Sequence, residues 1–532
     1  MAKFNLAAVR AAVRSPIRSG PAASGHTYNG APGFARDAKG ELFLLAVTNM
    51  VGEDTFYEGA GTRDQRYERL VHEVAVADPA WMLDFLTWLR SEANLRSASL
   101  VGAAEAVRAR LAATGAAQAP GTAANRRMVD AVLRRADEPG ELVAYWLSRY
   151  GRAVPKPVKR GVADAAARLY SEFSLLKYDS AAHGVRFADV LDLTHPSPTA
   201  PWQGDLFRYV LARRHDRDDA VPDSLAMVRA NARLRAVAAE EPERLLSSDE
   251  LRAAGMTWED ALSLAGPRVD KARLWGALIP TMGYMALLRN LRNFDEAGVP
   301  DEVAETVAAR LADPARSARS GQLPFRFLSA HRSVASLRWA HALDKALTAS
   351  LANVPVLGGR TLILVDLSGS MTGPVSRHSR LNRADAAKVF GAALALRAAD
   401  ATLVGFDSGS QRVPVPKGGS VLRLAESFPR GGGGTATADA VRRWYRGHDR
   451  VLIVTDEQAN GHGYGEVTAP VPEDRPVYTW NVAGYRHGHA PSGSGTRHTF
   501  GGLTDAAFRQ IPLLENGRDG HWPWEGSVRP AA

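Results

Sequence analysis

The stretch Asp366-Leu367-Ser368-Gly369-Ser370-Met371 sets a carboxylate and two hydroxyls at alternate positions on one short loop, directly after the apolar run Thr361 to Val365. Oxygen donors that can face a single point suit a hard cation such as magnesium, which prefers octahedral geometry and keeps several waters. Gly369 lets the backbone make the turn. Alone, the pattern reads equally well as a helix N-cap or a turn. Two other passages supply what a cation site still lacks. Gly431-Gly432-Gly433-Gly434-Thr435 offers a hydroxyl on a second loop, with Thr437 a nearby alternative, and Thr455-Asp456 offers a carboxylate after the run Val451 to Val454. Glu457 is a neighbouring carboxylate that leaves the choice between the two open. With this context met, the cation reading outweighs the N-cap.

Other chemistries find little support. There is no cysteine, which excludes disulfides, thiolate zinc sites and cysteine nucleophiles. No nucleophile–base pair at a recognisable spacing, no P-loop and no paired catalytic carboxylates stand out, so the chain is not expected to be an enzyme. A magnesium-bound water could still hydrolyse a substrate, which a nuclease assay would reveal. His487 and His489 are potential ligands, but no third ligand at a diagnostic spacing joins them, and they read as part of a solvated Gly/Ser/His loop spanning 484 to 502.

The elements that must position these residues have two periods. From about Glu41 to Ala352, apolar residues recur at helical spacing, as in Pro79 to Leu95 (Trp81, Met82, Phe85, Leu86, Leu89) and Trp275 to Phe294 (Leu278, Met282, Met285, Leu288). These stripes read as core. Turn signals at 115 to 121, Pro139-Gly140, Pro196 to Pro201 and Pro300 separate the segments, which suggests antiparallel helix pairs in a solenoid. The pattern changes near Pro355 to Gly359. Short apolar runs, Thr361 to Val365, Ala401 to Phe406, Val451 to Val454 and Val477 to Asn481, then alternate with a helical stretch at 383 to 398 and describe a doubly wound parallel sheet. Asp366, Asp407 and Asp456 fall at the C-terminal strand ends, where such sheets bind ligands.

The bulk figures agree with a multidomain globular chain. It has 532 residues, 45% hydrophobic and 23% charged, too long for one ordinary core. The excess of 66 Lys and Arg over 57 Asp and Glu permits a polyanionic partner without demanding one. No run reaches the roughly 18 apolar residues of a membrane span, and the basic N-terminus lacks the apolar core of a signal peptide, so a cytoplasmic protein is expected. Arg10, Arg14 and Arg18 have the spacing of one helix face, although Pro16 interrupts it.

The half from about Arg360 onward resembles a von Willebrand A domain, and the Asp366 loop resembles its metal-ion-dependent adhesion site. The resemblance implies that Asp366, Ser368, Ser370, Thr435 and Asp456 hold a divalent cation, directly or through water, with an open position for an acidic group of a partner. The helical half resembles the TROVE domain of Ro proteins. Asn29 to Phe34, Glu41 to Leu45 and Thr55-Phe56-Tyr57 are similar to its opening, and Lys156 to Gly161, running on to Tyr170, to its basic helix. Leu175-Leu176-Lys177-Tyr178 and Asp189 to His195 resemble the stretch that contacts Y RNA. Ala286 to Leu291, Pro324 to Phe327 and Leu343 to Leu347 continue the match in the family's order.

Resemblance to the Ro family implies a ring-like, all-helical domain of HEAT-type repeats, here 29–355, between an N-terminal arm at 1–28 and a doubly wound von Willebrand A domain at 356–532. It implies noncoding, Y-like RNA on the outer surface, single-stranded ends of misfolded RNA in the ring, and a scaffold role in RNA quality control, with an exoribonuclease as a further partner and neither DNA nor membrane. Lys159, Arg160, Lys177, His195, Arg289 and Arg292 are the RNA-binding candidates, the last four set against the plainer reading of an ion-paired helix surface or a structural histidine. The competing reading is a metal-dependent, protein-binding adhesion or chaperone-type module in which the helices are only a spacer.

Overall fold

The computed structural model describes residues 13–48, 51–114, 122–182, 184–215, 220–375, 379, 381–461, 465–493 and 495–525. These form two compact units, one of Met1–Val74, Gly321–Ser329 and Leu343–Ala532, the other of Ala75–Ser320 and Ala330–Ala342. The division therefore differs from boundaries at 28 and 355. The N-terminal residues belong with the sheet unit, because their hydrogen-bonding partners are there.

The α/β unit is built on a six-stranded sheet. Its strands are β3 (Leu357–Asp366), β4 (Ala398–Phe406), β5 (Ser410–Val413), β6 (Arg450–Thr455), β7 (Val477–Asn481) and β9 (Arg497–Gly501), in the order β5-β4-β3-β6-β7-β9. Only β5 runs antiparallel, at one edge. Every residue of β6 and β7 is buried, as expected of a parallel sheet covered on both faces, and this is why these segments read as unbroken apolar runs. The helix Arg383–Arg397 starts at Asn382, whose side chain accepts from Asp385 N at 2.9 Å while Asp385 reaches back to Asn382 N. The chain leaves β3 toward β4 on one side and later returns to β6 on the other. The C-terminal ends of β3 and β6 thus flank the point where strand order reverses, the usual ligand position in such sheets.

A second, three-stranded antiparallel sheet, β1 (Gly25–His26), β2 (Pro32–Ala35) and β8 (His487–Gly488), joins the N-terminal residues to this unit. The described part of the expected arm, from residue 13, is non-helical and packed. Ser15 and Ile17 are buried, Ser19 N donates to Ser492 O at 3.0 Å, and Ser492 Oγ donates to Ile17 O at 2.8 Å. Arg10 lies outside the described residues. The Gly/Ser/His region is likewise not a solvated loop, since it holds β8 and β9, and His489 and His498 are buried within it.

The helical unit contains no strand among its described residues. Its helix Pro79–Ser91 begins with Pro79 after Asp78, whose carboxylate accepts from Trp81 N at 3.0 Å, and buries Trp81, Met82, Phe85, Leu86 and Leu89 as the stripe requires. The stripe at Trp275 to Phe294 is broken into Lys271–Leu278, a 3-10 turn Ile279–Thr281 and Tyr284–Glu296. Pro280 has no N–H to donate, and Gly283 starts the second helix. No described helix of the chain is long and apolar enough to cross a membrane.

Candidate metal centre and nucleic-acid interface

The ends of β3 and β6 bring Asp366 and Asp456 into one electrostatically coupled pair, both fully buried. Ser368, Ser370 and Thr435 are buried as well, and the two serine hydroxyls lie 3.2 Å apart. Asp366 Oδ1 accepts from Ser368 N at 2.9 Å, and Oδ2 accepts from the Thr455 hydroxyl at 2.6 Å. Asp456 Oδ1 accepts from Gln458 N at 3.0 Å, while its Oδ2 has no hydrogen-bond partner among the described residues. A buried carboxylate oxygen with nothing to bind is costly unless something cationic covers it. Burial, and for Asp366 the charge of Asp456, push both carboxyls above the usual carboxylate range. These observations fit a divalent cation, whose charge would offset both penalties.

Glu457, the alternative carboxylate, is already engaged. Its Oε1 accepts from Arg36 at 2.8 Å and its Oε2 from Asn481 at 2.6 Å, all buried. Asp407 positions a loop instead of facing the site: its carboxylate accepts from Gly409 N at 2.9 Å and Gly433 N at 3.2 Å. That loop needs its glycines. A Cβ on Gly431 would stand 2.0 Å from Leu367 O, and Gly369 N donates to Gly433 O at 2.8 Å, so the two candidate loops touch backbone to backbone. Thr437 is buried with its hydroxyl unpartnered and remains an alternative donor.

Sequence reasoning missed several groups here. Thr455 was visible only as the residue before Asp456. Arg383 is buried, with a guanidinium that interacts with Asp456 and Nε unpartnered. Asn29 and Tyr57 reach the site from far along the chain: Asn29 Nδ2 donates to Thr435 Oγ1 at 3.3 Å, and the Tyr57 hydroxyl donates to Asn29 Oδ1 at 2.9 Å. No local pattern could have indicated them.

His487 and His489 do not form a metal cluster, and no group of three or more His, Asp or Glu suited to a metal occurs among the described residues. His489 is buried, 3.4 Å from the Thr479 hydroxyl, and burial lowers its pKa to about 4.

The RNA candidates lie in the helical unit. Lys159 and Arg160 share the helix Lys156–Leu169, Arg160 exposed and Lys159 half-buried. Lys177, exposed in the helix Glu172–Tyr178, has its ammonium 5.2 Å from the Tyr178 ring and 5.6 Å from Phe173, and it lines a cleft of about 790 Å³ with Tyr209, Arg213 and Arg235. His195 ends the helix Phe187–Thr194 in the left-handed region, φ 48°, with its N–H on Leu191 O at 2.9 Å and its side chain exposed. Arg289 and Arg292 stand exposed on Tyr284–Glu296. Arg292 pairs with Glu296 at 3.3 Å, the plainer reading for that residue, whereas Arg289 has no ion-pair partner among the described residues.

A TROVE domain matches residues 248–384, a span that includes Arg289, Arg292 and the Asp366 loop. Telomerase protein component 1 of Mus musculus is 42% identical over 83 residues, 15% of this chain and 3% of that protein. The Rattus norvegicus protein of the same name is 42% identical over 80 residues, again 15% of this chain and 3% of its own length. The chain thus matches only a small fraction of these curated relatives. The crystal structure of the Deinococcus radiodurans Ro (RSR) protein shares the fold, with a TM-score of 0.58 and 19% identity over 88% of this chain and 99% of that one. Domain match and relatives thus show similarity to TROVE proteins over part of the chain, and the chain as a whole has the fold of a Ro protein.

Proposed function

We propose that this protein binds noncoding RNA and acts as a non-enzymatic scaffold in RNA quality control. The TROVE match over 248–384, in a chain with the fold of a Ro protein, carries this reading. Lys177 and Arg213 beside Tyr178 and Tyr209 supply phosphate contacts and stacking surfaces in one cleft, and Arg289 supplies an exposed cation with no acidic partner among the described residues. Y-like RNA on the outer surface, single-stranded ends of misfolded RNA among the HEAT-type repeats, an exoribonuclease partner and a cytoplasmic location belong to the same proposal. Crosslinking in cells followed by sequencing of the bound RNA tests it, and recovery of structured noncoding RNA is the expected result. A purified protein without salt-dependent RNA affinity would instead leave the protein-binding module as the better account.

The α/β unit, read as a von Willebrand A domain, would hold one magnesium-class ion through Asp366, Ser368, Ser370, Thr435 and Asp456. The ion would supply positive charge to two buried carboxylates and an electrophilic position for an acidic group. The orphaned Asp456 Oδ2 supports this most directly. Calorimetry on wild type and Asp366→Ala tests it, with equal divalent-ion binding by both counting against the assignment.

A further inference from the structure

The chain's own N-terminal residues pack against the loops of the candidate metal site. Residues 27–31 follow the loop just after Asp456, bond by bond. Thr27 Oγ1 donates to Ala459 O at 2.7 Å, Tyr28 N to Gln458 Oε1 at 2.8 Å, and Ala31 N to Ala459 O at 3.3 Å, while Gly461 N donates to Asn29 O at 3.0 Å. Asn29 spans both loops of the site, since its Nδ2 also donates to Gln458 O at 2.8 Å besides Thr435 Oγ1, 406 residues along the chain. Asn460 completes the link, its N–H on Thr435 O at 2.9 Å and its Oδ1 accepting from Thr435 N at 3.2 Å.

A second passage, residues 55–58, packs against the first. The Tyr57 hydroxyl donates to Asn29 Oδ1 at 2.9 Å, and its ring stacks on Tyr28 at 4.7 Å with an interplanar angle of 1°. Glu58 fixes this passage by accepting from Arg63 and Arg66, both at 2.8 Å, and from the Tyr28 hydroxyl at 3.3 Å.

We propose that Asn29 and Tyr57 are positioning residues of the metal site, so that cation binding and docking of residues 27–31 and 55–58 are one coupled event. The proposal rests on the magnesium reading above. Asn29 orients the Thr435 hydroxyl by donating to one of its lone pairs, which leaves the other for a cation. Groups that orient ligands in this way typically carry about 10–100-fold in metal affinity. Coupling is reciprocal, so a cation that binds better to the docked chain must also hold the segment down. The ion then acts as a staple between parts of the chain separated by some four hundred residues in sequence.

The test uses the full chain, magnesium calorimetry, and amide hydrogen exchange of residues 27–31 and 55–58. Asn29→Ala should weaken magnesium at least about tenfold. Gly461→Ala should do the same without touching any donor oxygen, because its Cβ would fall 2.3 Å from Gly30 O and force the segment away. Tyr57→Phe keeps the ring stack and should lose a few-fold. Magnesium should slow exchange of both segments in wild type and leave Asp366→Ala unaffected. The coupling is overturned if wild type binds magnesium while Asn29→Ala and Gly461→Ala bind within twofold of it, even if they melt lower without metal, since that marks a purely structural role. It is overturned together with the magnesium reading if wild type takes up none.

Discussion

The two units treat charge in opposite ways. In the α/β unit the key titratable groups are buried: Asp366 and Asp456 at the strand ends, the Arg36–Glu457 pair beside them, and His489 and His498, which burial keeps neutral. The helical unit keeps most of its ion pairs near water, such as Arg168–Asp130 at 2.5 Å and Arg235–Asp260 at 2.8 Å, with Arg90–Glu138 a buried exception. Buried charges need fixed partners and so define a site at one point, whereas exposed charges remain available to a polyanion along a surface. The difference teaches that the first unit offers a fixed charge arrangement at one point, as the proposed cation site needs, and the second a dispersed one, as the proposed RNA surface needs.

The largest effect that could break this contrast is at the strand ends. Asp456→Ala is expected to abolish magnesium binding altogether, and magnesium should raise the melting temperature of wild type but not of the variant. The affinity should also fall as pH is lowered. Burial holds both carboxyls above their usual range, so protons compete with the cation before the pH reaches ordinary carboxylate values. Titration at pH 7.5 and pH 6 reads this directly, and an affinity indifferent to pH would show that these carboxylates do not hold the ion.

A matched pair of truncations sharpens the contrast next. Glu457→Ala leaves Arg36 buried without its carboxylate and Asn481 without its acceptor, and should cost about 3–5 kcal/mol in urea unfolding. Arg168→Ala, which removes an exposed pair in the helical unit, should cost at most about 1 kcal/mol. Comparable losses at both positions would erase the distinction.

How much of this was legible in the sequence follows from the same physics. Asp366 closes β3, whose buried second half demands an apolar run, and Ser368 and Ser370 follow within four residues, so motif and context are both local. β8 and β9 were hidden because two residues and five residues of mixed composition carry no period, and His498 and Thr499 are buried through contacts with Ser15 and Arg36 from the other end of the chain. The histidines looked solvated for that reason. Asn29 and Tyr57 gave no sign of the role proposed for them, since only tertiary pairing carries Asn29 to Thr435 and Tyr57 to Asn29. In the helical unit the stripes gave helices correctly, but the break at Pro280 and Gly283 was overlooked because the apolar spacing runs through it.

The buried histidines supply a smaller effect. Burial lowers His498 from 6.5 to about 4, so the unfolded chain takes up a proton below about pH 6.5 that the folded unit refuses until about pH 4. Its stabilising contribution is therefore present above that window and is lost as the pH falls through it, by about 2 kcal/mol at pH 5. Other groups titrate in the same range, so the comparison is with His498→Phe, which keeps a ring against Tyr478. The loss of stability between pH 7 and pH 5, from urea midpoints, should be smaller in the variant by about that amount. An identical loss in both would mean that His498 protonates freely in the fold.

The smallest effects should come from the helical surface, and they test whether its exposed charge is used. A cation that contacts phosphate releases counterions, so its removal should lower the slope of log affinity against log salt by about 1. Lys177 lines a cleft beside two aromatic rings, and neither it nor Arg289 has an ion-pair partner among the described residues, so Lys177→Ala and Arg289→Ala should each show this decrement without loss of melting temperature. Arg292 is already held by Glu296 and must give up that pair to reach RNA, which predicts a smaller decrement for Arg292→Ala. His195 need not follow the rule, because an uncharged imidazole releases no counterion and acts by hydrogen bonding alone. If Lys177→Ala and Arg289→Ala keep the wild-type slope, these positions do not touch the nucleic acid. If Arg292→Ala loses as much as Arg289→Ala, the pair with Glu296 opens at little cost, and exposure alone, rather than freedom from a partner, decides which arginines of this unit reach phosphate.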